Sequence, residues 1–528
     1  MPAAASGKQR LALHWEAVLL GGILLLALLL RLWHLSALTD NYDEGVYWSS
    51  LRAMRDGYGL FTPVFSSQPP FFLLSLYPLV ALFGPTQFAA RLGVVGFSLL
   101  GIAAMYLLAR RLGGPWVAIA AALLLTCDYV YLLQSQTIEA EAPSVALMIV
   151  AVALAAYADR YPWQAALLSG AATSLASMEK LFAVAAIAPI ALLFLGQLIT
   201  FERALPHLSR SAPDVSGMPP RLRLPQQQTI TRATLLAGAY LVGLALAALL
   251  VLLPYLGQLQ AVYQQVIAFH LAASHSFAST LGQNLHTLLG AAPERPLALA
   301  ALLGFVVGLI RRRWQVLTAG AWVLAALVIL LHQAPLFPHH LVLVVPGLIL
   351  SAAIGLAPAP ETFSQEVAAL RTRLPRMRPV WNAWGGKLVL IGLPALLLIG
   401  IILLNLRYAV RYPLGPAANA AQISQVASDL QRFTTAQQQV ITDDQYVAAL
   451  ANRAVPPELV DTSSVRITTG YLTTAQIIAI AERPQVGAIL FYTGRFDTLP
   501  GFHSWVVQHF QLARHYGNGQ DLYLRASP

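Results

Sequence analysis

The chain has 528 residues, of which 57% are apolar and only 11% are Asp, Glu, Lys or Arg. A soluble chain carries about 25% charged residues, so this one lacks the charge to cover a water-facing surface of its size. It is also too apolar to be disordered. The net charge of +10, from 33 basic and 23 acidic residues, raises nucleic acid as a partner until the basic residues are located. The single cysteine, Cys127, excludes an intramolecular disulfide and any zinc site built from several cysteines, and reads as apolar filler.

A membrane-spanning helix needs about 20 mostly apolar residues. Eleven such runs follow in chain order, near 17–33, 88–109, 116–133, 144–158, 163–178, 181–200, 233–254, 296–310, 315–332, 341–357 and 387–405. The predicted fold class is therefore an α-helical polytopic membrane protein with about eleven transmembrane helices. If the N-terminus is cytoplasmic and the loops alternate, inside segments hold 18 basic residues, from Lys8 to Lys387. Outside segments before the tail hold 6: Arg31, Arg52, Arg55, Arg91, Lys180 and Arg295. Basic residues collect on cytoplasmic loops, so the bias orients the chain and argues against nucleic acid as a partner. The first run reads as a retained helix rather than a signal peptide, ending in Arg31-Leu32-Trp33, an interfacial anchor pattern. The expected location is the plasma membrane, multi-pass, with the N-terminus inside and the C-terminus outside.

Between the first two runs, Asp40-Asn41-Tyr42-Asp43-Glu44 leads into a helical stretch ending at Arg55. A Pro-rich turn, Pro63 to Pro70, precedes the apolar segment Phe71 to Phe83, which is short for a span and suits the interface. The stretches 203–232 and 358–386 read as cytoplasmic loops, with an amphipathic helix at 361–373, and 255–295 as a large outer loop. Residues 1–406 form the membrane domain. Past residue 406 the composition changes: 407–528 holds 9 basic and 8 acidic residues and no run long enough to span. Strands at 439–444 and 486–492 alternate with helices at 446–452 and 473–482, so the tail is predicted to be a small extracytoplasmic α/β domain.

Ionisable groups near spans are costly and need a reason. Asn41 three residues before Glu44 fits a helix cap with acids in the first turn. Two adjacent acids in an aromatic, near-membrane setting equally suit a carboxylate of raised pKa acting as a base. Glu139 and Glu141 precede Pro143, and at most one should point into a site, because residues two apart on a helix face different ways. Lys180, after Glu179, is either half of an ion pair at a hairpin or a cation placed for a phosphate. His339 and His340 cluster with His332 around Pro335 and Pro338, without a zinc-ligand spacing. Asp443-Asp444 and Pro456 to Thr462 read first as ordinary turns, and second as a binding loop. No P-loop, GxGxxG or GxSxG is present. The acids lie on the outer side, which points to an activated donor other than a nucleotide.

An Asp-Glu pair in the first outer loop, a Pro-rich turn, Ala90-Arg91-Leu92 opening the second span, Glu141-Ala142-Pro143, Lys180 and Pro338-His339-His340 recur here in a set order. Together they resemble the GT-C glycosyltransferases, in particular the protein O-mannosyltransferase and aminoarabinose transferase group, over roughly residues 15–360. The resemblance implies transfer of a hexosyl or pentosyl group from a polyprenyl-phosphate donor to a protein, glycan or lipid acceptor at the outer face, with inversion. It implies Asp43 as the catalytic carboxylate, Glu44 as its support and Glu141 as a second acid. Arg91 and Lys180 would bind the donor phosphate, with Arg55 in reserve. Gln68, able to donate a hydrogen bond, is a further candidate for the donor phosphate; it stands where the aminoarabinose enzymes have Lys in an acid-Lys-Pro sequence, so the donor's identity does not carry over. Glu139, His339 and His340 are candidates for the acceptor or for a divalent metal; no cofactor is required. The tail would recognise the acceptor or cap the site. The rival reading is a transporter or flippase of lipid-linked sugars, with the acids as relay or binding groups.

Overall fold

The computed structural model describes residues 7–210, 224–277, 279–291, 293–358, 368, 372, 388–415 and 417–526. The amphipathic helix expected at 361–373 lies outside the described residues except at 368 and 372. The chain opens with α1 (Gly7–Leu32), α2 (Tyr42–Arg55), α3 (Pro70–Phe83), α4 (Gln87–Gly113), α5 (Pro115–Cys127), α6 (Tyr129–Gln134), α7 (Glu141–Ala155) and α8 (Pro162–Glu179). Starts are encoded locally. Asn41 and Thr86 cap α2 and α4 by accepting from the amides of Glu44 and Ala89, and α3, α5 and α8 carry Pro in the first turn.

After a short 3₁₀ segment (Leu181–Ala186) come α9 (Ile187–Arg210) and α10 (Leu224–Leu252). The α8 and α10 helices cross closely because small residues face each other. A Cβ on Gly170 would lie 1.9 Å from the Tyr240 carbonyl oxygen, and one on Gly243 would lie 1.9 Å from that of Leu167. Helices Arg295–Ile310, Val316–His332, Val345–Leu356 and Leu393–Arg411 follow.

Among the described residues, six helices are long and apolar enough to cross a membrane, or seven if the bent pair Leu281–Gly290 and Arg295–Ile310 is one span. The chain is a multi-pass membrane protein. Of the other expected spans, those at 116–133, 144–158 and 315–332 fall on shorter apolar helices, and that at 163–178 falls on α8. The α3 helix packs Phe72, Leu73, Leu76 and Val80 inward, while Leu82 and Phe83 stay exposed.

Three expectations are corrected. The 203–232 stretch is partly helical, since α9 runs on to Arg210 and α10 starts at Leu224. The 255–295 stretch is not a loop: helix continues from α10 through 3₁₀ and π turns to Ser276, and Leu281–Gly290 is helical too. Its apolar content continues past Pro254, where a 3₁₀ turn (Leu253–Gln258) replaces the α-helix without ending the run. Arg31 is no interfacial anchor. It is fully buried, donating from Nε to Ser98 Oγ at 2.6 Å and from Nη1 to the carbonyls of Ala27 and Thr126, both at 3.2 Å.

The C-terminal part carries a four-stranded sheet of order β1-β2-β4-β3, with β1 Gln439–Thr442, β2 Val486–Phe491, β3 Phe510–Gly517 and β4 Gln520–Arg525. The β1 and β2 strands are parallel; β2/β4 and β4/β3 are antiparallel. Both expected strands are present, as are helices Gln445–Leu450 and Thr474–Ala481. The β3–β4 hairpin and the helix Ala420–Phe433 are additions to what the sequence indicates.

The sheet unit is docked on α2. A Cβ on Gly45 would lie 2.4 Å from the Tyr446 backbone nitrogen, so glycine lets the helix Gln445–Leu450 lie directly against α2. The Tyr446 hydroxyl accepts from Thr39 N at 3.1 Å and from Gln87 Nε2 at 2.6 Å, and its ring meets Trp48 edge-on at 5.7 Å.

Candidate active site

A cavity of about 550 Å³ lies where the start of α2, the segment before α7, the end of α8 and the 3₁₀ turn Pro338–Leu343 meet the sheet unit. Its lining includes Asp43, Tyr47, Gln68, Glu139, Lys180, His270, His339 and His340 from the helical part, and Asp461 and Arg495 from the C-terminal part.

Asp43 stands in the first turn of α2, beside its cap. Burial, then the charge of Glu139, pushes its carboxyl up to about 6, with His339 and Lys180 opposing. Glu139 is pushed further, to about 8, by burial and by Glu141. Its Oε1 accepts from Asn41 Nδ2 at 2.6 Å, while Oε2 is buried without a partner. The two carboxyls are driven apart, with Glu139 held in its protonated form more strongly than Asp43. The Tyr47 hydroxyl, bonded to the Gln68 side chain, is pushed up by burial and by Asp43 and so remains a donor.

Glu44 points away from the cavity. It forms a two-pronged pair with Arg91, Nε to Oε1 at 2.6 Å and Nη2 to Oε2 at 2.7 Å, with both side chains fully buried. Thr39 Oγ1 and the Ile138 amide also donate to Glu44, at 2.7 and 3.1 Å, and Arg91 Nη1 donates to the carbonyls of Leu35 and Ala37. Arg91 is thus engaged on all three nitrogens and does not line the cavity, so the guanidinium expected to meet a phosphate instead clamps α2 to α4. Arg55 is exposed at the far end of α2 from Asp43.

Glu139, not Glu141, lines the cavity. The helix starts only at Glu141, so helical spacing does not govern the pair. Glu141 lies one layer behind, paired with Lys180, with His339 Nε2 at 3.4 Å and His340 Nε2 at 3.8 Å. Lys180 owes its projection to a break: its backbone is extended between α8 and the following 3₁₀ turn. The ligand atoms of Glu141, His339 and His340 lie within 4.8 Å of one another, a carboxylate and two imidazoles of a type that suits a divalent transition metal. Lys180 holds the same Glu141 oxygen, so ammonium and metal would compete for it.

Sequence reasoning placed Asp461 only in a secondary binding-loop reading and missed Arg495 and the contacts of both to Tyr42. Tyr42 receives the Thr462 amide at 2.8 Å and approaches Asp461 at 3.3 Å, and Arg495 stacks over its ring at 3.8 Å. Asp443 is not a ligand loop. Fully buried, it accepts from the amides of Tyr492, Thr493, Arg495 and Phe496, filling the concavity that the left-handed Gly494 (φ +78°) helps to form. Asp444 caps the helix Gln445–Leu450 through the Tyr446 amide. The one available signal was the pairing of an Asp-Asp turn with a Thr-Gly-Arg turn after the next strand.

Residues 67–212 match the family described as dolichyl-phosphate-mannose-protein mannosyltransferase. No curated protein sequence matches the chain. Among solved structures, ArnT from Cupriavidus metallidurans is similar with a TM-score of 0.59 in the apo state, at 15% identity, and 0.60 bound to undecaprenyl phosphate, at 14% identity. Each match covers 97% of this chain and 98% of ArnT. The oligosaccharyltransferase AglB from Archaeoglobus fulgidus, in complex with an inhibitory peptide and a dolichol-phosphate, is similar at a TM-score of 0.50 and 12% identity, over 99% of this chain and 75% of AglB. The chain has the GT-C fold. Within that class it resembles the mannosyltransferase and ArnT group.

Proposed function

We propose that the chain is a membrane glycosyltransferase that moves a sugar from a polyprenyl-phosphate donor to an acceptor at the outer face of the membrane. The observation that carries this reading is Asp43, a carboxylate at the wall of a cavity shared by the helical part and the sheet unit, with Lys180 on the same wall. Asp43 takes the proton of the acceptor hydroxyl as that oxygen bonds to the anomeric carbon from the face opposite the phosphate. The carbon–oxygen bond to the phosphate breaks with inversion, and the carrier departs as polyprenyl phosphate. The bond electrons leave with the phosphate, so no strong general acid is needed; a cation must offset the charge gained. Lys180 supplies it. Glu44 and Arg91 act at one remove by fixing the first turn of α2, and Gln68 and Tyr47 offer neutral donors. The basic-residue bias supports placing the cavity outside, with the N-terminus in the cytoplasm. A metal at Glu141, His339 and His340 would add charge beside Lys180, and no step requires it.

The test is Asp43→Asn in the purified full chain, supplied with polyprenyl-phosphate sugars. Turnover should fall about 10²–10⁴-fold, the range for a general base, while donor binding and melting stay as in wild type. Undiminished transfer by the variant would remove Asp43 from the reaction. Binding of the donor without any transfer by wild type would favour the transporter.

A further inference from the structure

We propose that Arg495 is a phosphate-binding residue of the cavity, presented by the C-terminal part as a preformed fork. This rests on the glycosyltransferase reading above and adds to it a ligand from the sheet unit. The cavity is lined by two residues of permanent positive charge, Lys180 and Arg495. Lys180 shares its charge with Glu141, so a second cation adds to what it supplies. The Arg495 guanidinium has no carboxylate oxygen within 4.0 Å among the described residues. Among the described residues its one side-chain hydrogen bond runs from Nη1 to the Asp443 carbonyl at 3.4 Å, which leaves Nε and Nη2 without a partner there. Those two nitrogens form the edge of a guanidinium that receives two oxygens of a phosphate side by side.

The fork is held from behind on two sides. Asp443 takes the Arg495 amide at 2.9 Å and fastens the turn through the amides of Tyr492, Thr493 and Phe496. Below, the Tyr42 ring supports the guanidinium at 3.8 Å, and Tyr42 is itself fixed by the Thr462 amide. A side chain so ordered before binding loses little freedom when it closes on an anion. An arginine serving only to stack on Tyr42 would not need its turn fastened by a buried carboxylate. Asp461 lines the same wall, but its Oδ1 is engaged by the Tyr42 hydroxyl and the Ser463 amide.

The phosphate can belong to the donor carrier or to a phosphorylated acceptor, and two arms separate these sources. In the first, full-length wild type, Arg495→Gln and Arg495→Lys are titrated with polyprenyl monophosphate and with uncharged polyprenol. A loss of about tenfold or more in affinity for the phosphate alone, partly restored in the lysine variant, assigns Arg495 to the carrier. In the second, inorganic phosphate competes with transfer at saturating carrier. Loss of that competition in Arg495→Gln, with carrier affinity unchanged, assigns it to the acceptor. Wild-type behaviour in both arms, with unchanged melting, overturns the inference. Asp43→Asn is assayed in parallel: if it still transfers, the underlying reading fails, whereas an inactive Asp43→Asn beside an unaltered Arg495→Gln sinks only the phosphate assignment.

Discussion

Glu44 and Arg91 face each other as a fully buried pair, with two contacts of 2.6 and 2.7 Å, immediately behind the turn that presents Asp43 to the cavity. Adjacent acids in the sequence therefore do opposite things: one points at the cavity, the other ties its helix down. Removing one partner of such a pair strands a buried charge and costs about 3–5 kcal/mol. Glu44→Gln and Arg91→Met should each lower the melting temperature markedly and reduce transfer, while Asp43→Asn alters transfer alone. Equal melting temperatures for Arg91→Met and wild type would show that the pair is not structural.

The acids of the cavity give a pH profile with two limbs. Asp43, at about 6, must lose its proton to act as a base, so transfer should rise as pH climbs through that value. Glu139, at about 8, then ionises and adds a negative charge beside the departing phosphate, so transfer should fall on the alkaline side. Lys180, His339 and Glu141 are the other charged or titratable groups acting on Asp43. Glu139→Gln should keep the acid limb and lose the alkaline one. An unchanged alkaline limb in that variant would assign it to another group.

Gly45 tests whether the sheet unit must be docked for the chemistry. In Gly45→Ala the new methyl meets the Tyr446 backbone, which cannot swing aside as a flexible side chain would. Displacing a wall of the cavity by about 1 Å costs on the order of 10²-fold in rate. The variant should also be cut faster by protease between the helix Leu393–Arg411 and β1, with its helical circular dichroism retained. Full activity in Gly45→Ala would mean that the sheet unit contributes nothing to turnover.

A metal at Glu141, His339 and His340 would compete with Lys180 for one carboxylate oxygen. Chelators should leave wild-type transfer undiminished, and wild type should not retain zinc through gel filtration. In Lys180→Met, Glu141, His339 and His340 lose the competing ammonium, and zinc should be retained. Stoichiometric zinc in wild type would overturn the competition.

Where charge is scarce, its positions were legible: Asp43, Glu139, Lys180, His339 and His340, spread over some 300 residues, reach one region. The break at Lys180 and both parallel strands were readable too, because each rests on local pattern. Which acid pairs with which cation was not. Arg91 and Lys180 look alike as isolated cations near apolar runs, and only the packing of α2 on α4 assigns Arg91 to Glu44. Which residues of the C-terminal part form the wall was hidden for a related reason. Asp461 and Arg495 sit in turns of ordinary composition, and what brings them to Tyr42 is the contact permitted by Gly45, some 400 residues earlier in the chain. Edge strand β3, whose exposed residues Gln511, Leu512, Arg514 and His515 come in adjacent pairs, lacks the apolar run that marked β2.

The two-part construction of the cavity wall has an evolutionary consequence. Asp43, Glu139 and Lys180 enter from segments tied to the helices, whereas Asp461 and Arg495 enter from connecting segments of the sheet unit, Asp461 before the short helix Ser464–Thr468 and Arg495 after β2. Turns tolerate replacement and insertion far better than packed helices do. On the proposed reading, what the C-terminal wall contacts can therefore change by rewriting a few of these positions, without disturbing the groups presented by the helices.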